Sequence, residues 1–148
     1  MSDTRTYPQR PYLAVSAAII RDGRVLVVRR ARIPALNLYT FPGGAVETGE
    51  TLNEAAIREV REETSLAIEP VGLAGHREVI TRDAKGAVER HFVILCLAAR
   101  WRSGEAKLNE ELDDARWVTL EAISGLRTTD GLAEIGAAAF ARLAAVKG

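Results

Sequence analysis

Apolar residues fall into runs that predict a sheet. The segment 12–20 is apolar almost throughout, and the hairpin-forming pair Asp22-Gly23 leads from it into a second apolar run over 24–30. A later run, 91–101, is apolar enough to be covered on both faces, which is typical of a central strand. The pattern therefore predicts a sheet whose middle strands are shielded on both sides.

Two segments have the three-to-four-residue period of amphipathic helices. The first, 51–65, opens with Thr51 and has Glu54 three residues later, which fits the capping box at the start of a helix. The second, 131–146, is rich in alanine and carries its larger apolar residues on one face. Each helix is therefore expected to bury one side against the sheet.

Strands and helices together predict one α/β domain around a mixed sheet. Short strands are expected at 39–41 and 115–120, and two long strand-like segments after Pro70 flank a turn at 83–86. Residues 1–10 are polar and contain a proline, so we expect them to form a flexible tail. Residues 11–148 are then expected to form the single domain.

The composition is that of an ordinary globular protein. Of the 148 residues 47% are hydrophobic and 27% are charged, and the formal net charge is zero. These values exclude a disordered charged chain and a protein that coats DNA through a large basic excess. The single cysteine, Cys96, excludes an intrachain disulfide and is expected to be buried. Without a secretory signal or an apolar run of about 20 residues, a cytoplasmic location without membrane contact is expected.

The helix predicted over 51–65 carries an unusual group of acidic side chains. At 100° per residue, Glu59, Glu62 and Glu63 share one sector with the apolar residues of the first turn, whereas Arg58 points elsewhere. Like charges at this spacing destabilise a helix by about 0.2–0.5 kcal/mol per pair. A cation is therefore expected nearby, and oxygen ligands without His or Cys favour Mg²⁺ or Mn²⁺ over zinc. A solvated acidic helix face is the alternative.

The loop before this helix adds two features. The sequence Phe41-Pro42-Gly43-Gly44 combines a rigid proline with glycines, which let the backbone approach an ion or a phosphate closely. Glu50 lies eight residues before Arg58 and could pair with it across the junction of loop and helix. Both features favour a functional role for the acidic helix.

The stretch from Gly44 to Leu66 resembles the signature of the Nudix hydrolase family, G-x5-E-x7-R-E-U-x-E-E-x-G-U, in which U is an aliphatic residue. The spacing from Gly44 to Glu50 and on to Arg58 matches, as does the acidic run that follows. One position departs, because Ser65 stands where the family has the glycine that ends the helix. A serine held in the left-handed conformation there would cost about 1 kcal/mol.

The resemblance implies an α/β/α sandwich around a mixed sheet. It implies hydrolysis of a nucleoside diphosphate linked to another moiety, with Mg²⁺ or Mn²⁺ as the cofactor. Carried over by position, Glu59, Glu62 and Glu63 resemble the divalent-metal ligands, with the Gly43 carbonyl as a further ligand.

The resemblance also implies supporting and catalytic residues around these ligands. Glu50 and Arg58 resemble the supporting ion pair. A further acidic residue from a downstream loop is implied, for which Glu111 is the candidate and Glu110 the alternative. Either Glu59 or Glu111 could accept the proton of the attacking water, and the sequence leaves that choice open.

Arginines close to the glycine loop are candidates for binding the substrate's phosphates, because a guanidinium fork matches phosphate oxygens. Arg29, Arg30 and Arg32 precede the loop, and strand alternation puts the first two on opposite faces. At most one of that pair is therefore expected to contact phosphate. Phe41 could stack on a base, and packing in the core is the alternative.

Outside the signature, the resemblance extends from Tyr12 to Leu120 and is greatest to the ADP-ribose pyrophosphatases. It implies hydrolysis of ADP-ribose to AMP and ribose 5-phosphate, with a small-molecule nucleotide as the partner and neither nucleic acid nor membrane involved. A homodimer paired through the apolar first strand is one option. The alternatives are a nucleoside triphosphate pyrophosphohydrolase and, more remotely, a Nudix-like ligand-sensing domain without hydrolysis.

The zero net charge conceals an uneven distribution. Five arginines and one aspartate lie between Arg21 and Arg32, whereas residues 43–66 contain six glutamates and two arginines. A basic segment followed closely by an acidic one is expected where the acidic part holds cations and the arginines hold phosphates.

Overall fold

The computed structural model describes residues 5–146, which form a seven-stranded mixed sheet with helices on both faces. The elements in chain order are β1 (Tyr12–Arg21), β2 (Arg24–Arg30), β3 (Tyr39–Thr40), β4 (Gly43–Ala45), α1 (Leu52–Thr64), β5 (Ala67–Arg82), β6 (Val88–Ser103), β7 (Leu112–Val118), α2 (Leu120–Ile123) and α3 (Leu132–Ala145). The α/β fold with a mixed sheet is thereby confirmed.

The strands follow the order β3-β2-β1-β6-β5, with β4 paired to β1 and β7 paired to β2. The β1–β6 pair is parallel, and the other pairs are antiparallel. Asp22 and Gly23 both have positive φ, 50° and 76°, as a two-residue hairpin turn requires. The predicted hairpin is confirmed, and so is the central position of β6, between β1 and β5.

Side chains of β1 alternate between two buried layers, which explains why the strand is apolar throughout. Ala17 and Ile19 pack on the side of α1 with Val60, whereas Ala18 and Ile20 pack on the side of α3. The result is the α/β/α sandwich expected from the sequence. No helix within residues 5–146 has the length and apolar character needed to span a membrane.

Helix α1 begins and ends through local hydrogen bonds that its sequence encodes. The Glu54 N–H donates to Thr51 Oγ1 at 3.1 Å, and the Thr51 N–H donates to Glu54 Oε1 at 2.8 Å, which confirms the capping box. At the other end Ser65 has φ 67°, and its N–H donates to the Arg61 carbonyl at 2.9 Å. Ser65 thus adopts the left-handed conformation that a glycine would take at a helix end.

Some element bounds differ from those expected. The sequence predicts neither β4 nor α2, because β4 is mostly glycine without an apolar alternation and α2 has only four residues. β5 begins at Ala67 instead of after Pro70, and the pairing of β5 with β6 shifts register between Pro70 and Gly72. A proline cannot donate to the ladder, so it is tolerated here at an irregularity.

The described part of the predicted tail contacts the hairpin formed by β5 and β6. The Tyr7 N–H donates to the Glu89 carbonyl at 2.7 Å, and the Tyr7 hydroxyl donates to Asp83 Oδ2 at 2.9 Å. Residues 1–4 of the predicted tail and residues 147–148 of the predicted domain lie outside the described residues. The tail and the domain bounds therefore stay predictions.

Candidate active site

Helix α1 packs its acidic side against β4, and the two glycines of β4 make this approach possible. A Cβ atom on Gly43 would lie 2.0 Å from the Val15 carbonyl oxygen, and one on Gly44 would lie 2.4 Å from the Glu59 carboxyl carbon. The first glycine therefore allows β4 to pair with β1. The second leaves room for a carboxylate directly on the strand.

Glu63 is the most buried carboxylate of the helix, with 6% of the residue exposed. The Gly43 N–H donates to its Oε1 at 3.0 Å. Burial raises the pKa of Glu63 to about 7, the Gly43 N–H and the charge of Arg30 oppose this rise, and the negative charges of Glu59 and Glu111 add to it. Glu63 is thus a carboxylate crowded by like charges.

Glu59 and Glu62 lie beside Glu63 on the same side of α1 but differ in exposure. The Glu59 side chain is 16% exposed and that of Glu62 is 55% exposed. Burial is the main cause that raises the pKa of Glu59. The acidic sector predicted from the sequence therefore exists, and it extends from solvent into the protein.

Arg58 joins the acidic group, so the prediction that it points elsewhere is wrong. Its Nη1 lies 2.9 Å from Glu59 Oε1 and 3.4 Å from Glu62 Oε2, because the long side chain bends back over the carboxylates. Its Nε and Nη2 donate to the two oxygens of Glu50 at 2.7 and 2.9 Å, and Nη2 also donates to the Ala45 carbonyl at 3.0 Å. The bidentate pair with Arg58 is the main cause that lowers the pKa of Glu50 to about 2.

A cavity of about 1240 Å³ opens beside this helix and collects most of the predicted site. The predicted site residues that line it are Arg30, Arg32, Phe41, Gly43, Glu59, Glu62, Glu63 and Glu111. Glu50 and Arg58 lie behind this lining, where they support Glu59. Arg29 does not line the cavity.

The two neighbouring arginines of β2 separate as strand alternation predicts. Arg30 lines the cavity and donates from Nε to the Pro34 carbonyl at 2.9 Å. Arg29 pairs with Asp113 on the other side of the strand, with 2.6 Å between Nε and Oδ1. The structure therefore brings Arg30 to the carboxylates and keeps Arg29 away from them.

Arg32 lies at the rim of the cavity and pairs with both acidic residues of the downstream loop. Its guanidinium is 3.6 Å from Glu110 and 3.7 Å from Glu111. The Glu111 side chain is 39% exposed and lines the cavity, whereas that of Glu110 is 81% exposed and does not. The geometry thus favours Glu111 over Glu110 as the further acidic residue.

Phe41 belongs to the core that packs under α3. It is 4% exposed and belongs to the buried cluster that also contains Tyr39 and Ile123. Little of its ring surface is left for a base, so core packing, the alternative to stacking, describes its contacts. Cys96 is 2% exposed, and burial raises its pKa to about 11, so its predicted burial is confirmed.

The opposite end of the cavity contains polar residues that sequence reasoning missed. Arg77 and Thr81 of β5 line it together with Asp130, which precedes α3. A strand period of two could have placed residues 77 and 81 on one face. No local signal shows which face of β5 meets the cavity, because that depends on pairing with distant strands.

The donor chemistry beside α1 fits a hard divalent cation, although the side chains are not gathered around one point. Among residues 5–146, no three His, Cys, Asp or Glu side chains are arranged so that they could hold a metal ion as they stand. Arg58 Nη1 lies where positive charge is needed, within 3.4 Å of Glu59 and Glu62. Burial is the main cause that raises the pKa of Glu63, and the negative charges of Glu59 and Glu111 add to it, so a cation bound here would favour the ionised form of Glu63.

Comparison with known proteins decides the family. The NUDIX domain model matches residues 10–139, which is most of the chain. The chain belongs to the NUDIX family. Hydrolases of this family depend on a divalent metal ion.

Individual NUDIX proteins resemble this chain over much of its length. It is 32% identical over 110 residues to the ADP-ribose pyrophosphatase of Methanocaldococcus jannaschii, which covers 74% of this chain and 63% of that protein. The crystal structure of a MutT NUDIX hydrolase from Burkholderia pseudomallei has a TM-score of 0.75 and 27% identity, covering 87% of this chain and 98% of that one.

A third NUDIX protein resembles this chain in fold alone. It is the NUDIX domain of Shewanella oneidensis NrtR complexed with ADP ribose, with a TM-score of 0.70 and 23% identity over 96% of this chain and 94% of that one. The chain spans less than two thirds of the length of the Methanocaldococcus relative.

Proposed function

We propose that this chain is a divalent-metal-dependent pyrophosphohydrolase that cleaves a nucleoside diphosphate linked to another moiety. ADP-ribose is the proposed substrate, and AMP and ribose 5-phosphate are the products. The observation that carries the proposal is the group of Glu59, Glu62 and Glu63, which lies against the glycines of β4 at one end of a large cavity.

The carboxylates would hold Mg²⁺ or Mn²⁺, because carboxylate oxygens without imidazole or thiolate suit these ions. When bound, such a cation neutralises the negative charge of a pyrophosphate. Arg58 lies 2.9 Å from Glu59, so a cation held by Glu59 would compete with that ion pair. Two hydrogen bonds from Arg58 to Glu50 hold the guanidinium in place.

Arg30 and Arg32 support the proposal from the phosphate side. Both line the cavity that contains the carboxylates. Within residues 5–146 the ion pairs of Arg32 are the long ones with Glu110 and Glu111, at 3.6 and 3.7 Å, and such exposed pairs contribute about 1 kcal/mol or less. A phosphate can therefore displace these contacts and take Arg32 as its own partner.

Hydrolysis also needs a group that takes a proton from the attacking water as its oxygen bonds to phosphorus and the bridging P–O bond breaks. Glu59 and Glu111 are the two candidates. Glu59 already accepts a hydrogen bond from Arg58 at 2.9 Å, so one of its oxygens is occupied, even though burial raises its pKa. The Glu111 carboxylate is more accessible and makes no hydrogen bond of that length with residues 5–146, so it is the better supported proton acceptor.

ADP-ribose is proposed over a nucleoside triphosphate because of the relative named ADP-ribose pyrophosphatase. The test is a panel of ADP-ribose, other nucleoside diphosphate conjugates and the nucleoside triphosphates, each with Mg²⁺ or Mn²⁺ and with both phosphate-containing products measured. We expect the highest kcat/KM for ADP-ribose. Highest kcat/KM for a triphosphate would support the pool-sanitising alternative, and binding without turnover of any substrate would support a sensing domain.

A further inference from the structure

The cavity continues across the sheet into a part that the proposed function does not use. We call this part the far lobe, and its lining includes Arg77, Val79, Thr81, Phe92, Ile94 and Asp130. Residues 77, 79 and 81 lie on one face of β5, because alternate residues of a strand point to the same side. The far lobe therefore combines a cation, a carboxylate and a hydroxyl with apolar side chains.

The sheet register gives the separation between the far lobe and the carboxylates. Arg77 pairs with Ile94, Ile94 with Ala14, and Ala14 with Ala45 of β4. Neighbouring strands lie about 4.8 Å apart, so Arg77 and β4 are separated by about 14 Å across the sheet. That distance is comparable with the length of an extended nucleoside diphosphate.

Two polar side chains of the far lobe lack partners within the described part of the chain. Arg77 is half-buried, and its side chain makes no hydrogen bond or ion pair with any residue in 5–146. Burial lowers its pKa, and the nearby charge of Asp130 opposes that change. The Thr81 hydroxyl oxygen is buried and has no hydrogen-bond partner there. Polar groups removed from water are normally paired, so the half-buried Arg77 guanidinium can take a ligand as its partner.

The arrangement of these groups fits a flat, neutral and polar ring. The Arg77 guanidinium offers only donors, the Asp130 carboxylate offers only acceptors, and Thr81 can do both. Val79, Phe92 and Ile94 provide apolar surface for the ring. A purine presents acceptors and an amino donor along its edge, which arginine and carboxylate side chains recognise. An anionic group would be attracted by Arg77 but repelled by Asp130.

We propose that the far lobe binds the purine base of the nucleotide, with Arg77 and Asp130 hydrogen-bonding to its edge. The inference rests on the proposed function, because it takes a nucleotide to be the ligand of this cavity. It adds the residues that recognise the purine base of that nucleotide.

Equilibrium binding tests this site without turnover. Dissociation constants for AMP, GMP and ribose 5-phosphate are measured by calorimetry for the wild type, Arg77→Met and Arg77→Lys. Arg82→Gln is the matched control, since Arg82 lies on the same strand, is exposed and does not line the cavity. We expect a purine nucleotide to bind at least tenfold more tightly than ribose 5-phosphate in the wild type and in Arg82→Gln. Both Arg77 variants should lose most of that difference, since lysine keeps the charge without the fork.

Thermal unfolding of the same proteins supplies a second readout. Arg77→Met replaces a partly buried guanidinium that has no partner by an apolar side chain, so the Tm of this variant should equal or exceed that of the wild type. A clear drop in Tm in both Arg77→Met and Arg77→Lys would show that the Arg77 guanidinium has a structural partner and would contradict the proposal. Arg77→Lys keeps the charge and serves as the binding variant if Arg77→Met is destabilised.

Three binding results would overturn the base site. The first is a purine nucleotide that binds no more tightly than ribose 5-phosphate, and the second is a difference that persists in both Arg77 variants. The third is tighter binding of adenosine 2′,5′-bisphosphate than of AMP that depends on Arg77, which would indicate an anion site.

If the expected differences in binding are found but no substrate is hydrolysed, the proposed function fails and the base site stands. If ADP-ribose is hydrolysed but the expected differences in binding are absent, the base site fails and the proposed function stands.

Discussion

At the scale of single residues, the two glycines of β4 have different tasks. Gly43 faces backbone atoms, since an added Cβ would meet the Val15 carbonyl oxygen and the Ser16 Cα at 2.0 and 2.6 Å. Gly44 faces the end of a side chain, the Glu59 carboxylate. Displacing backbone atoms costs more free energy than displacing the end of a flexible side chain, so the two positions should respond differently to the same substitution.

Alanine at these two positions should therefore separate stability from activity. We expect Gly43→Ala to lower the free energy of unfolding by more than about 2 kcal/mol. Gly44→Ala should unfold near the wild-type Tm but lose about 10²-fold in kcat, because Glu59 is displaced from its position. Thermal unfolding and steady-state kinetics of both variants check this. Equal loss of stability in both, or full activity in Gly44→Ala, would show that Glu59 needs no space on β4.

The two neighbouring acidic residues of the downstream loop offer another matched pair. If Glu111 accepts the proton, Glu111→Gln should lower kcat by about 10²–10⁴-fold. Glu110→Gln should stay within about twofold of the wild type, because Glu110 is 81% exposed and does not line the cavity. Rates measured for the two variants side by side decide the assignment. A loss confined to Glu110→Gln would reverse it, and no loss in either would favour Glu59.

At the scale of elements, helix α1 positions the site and ends at a serine in a left-handed conformation. Glycine adopts this conformation without the steric strain of a Cβ atom, so Ser65→Gly should raise the free energy of unfolding by about 1 kcal/mol. For a chain of this size the Tm should rise by about 2–4 °C. Ser65→Ala is the control, because it removes the hydroxyl without gaining backbone freedom. If both variants unfold at the same temperature, the left-handed conformation is not what limits stability here.

The junction between α1 and its preceding loop should give a pH-dependent contribution to stability. Ionised Glu50 is stabilised by Arg58, and its pKa in the folded chain, about 2, lies below that of an unfolded glutamate, about 4.3. The contribution is therefore fully present above pH 4.3 and is lost as the pH falls through 2. Glu50→Gln lacks it at every pH. The difference in Tm between wild type and Glu50→Gln should shrink between pH 5 and pH 2, and a constant difference would contradict the ion pair.

The sequence predicts those parts of the structure that depend on neighbouring residues. Helix α1, its capping box and the Asp22-Gly23 hairpin follow from short-range patterns, and the structure confirms them. Strand β4 leaves no such pattern, since glycine has no side chain to alternate. The bend of Arg58 over Glu59 and Glu62 was missed because a helical wheel gives the direction of a Cβ atom and not the reach of a long side chain.

At the scale of the whole molecule, the cavity is assembled from parts of the chain that lie far apart in the sequence. One end comes from α1, β4 and the residues after β2, and the other comes from β5, β6 and the start of α3. The signature in the sequence covers only the first end. Pairing across β5, β6 and β1 creates the second, which is why Arg77 and Asp130 could not be found from local sequence alone.

The uneven charge distribution of the sequence is also resolved at this scale. Of the arginines between Arg21 and Arg32, only Arg30 and Arg32 reach the cavity with the acidic helix. Arg21 instead pairs with Glu105 at 3.0 Å and lies over the Trp101 ring, and Arg29 pairs with Asp113. The basic segment thus supplies two candidate phosphate ligands to the site, and Arg21 and Arg29 stabilise the rest of the fold.

The central claim is that the carboxylates of α1 hold the cation on which pyrophosphate hydrolysis depends. The most direct measurement is the rate of AMP and ribose 5-phosphate release from ADP-ribose with Mg²⁺ or Mn²⁺, compared between the wild type and the double variant Glu62→Gln/Glu63→Gln. Glu121→Gln, an exposed carboxylate on α2, is the control. We predict a fall of at least about 10²-fold for the folded double variant and no change for the control. Wild-type turnover by the double variant would contradict the claim.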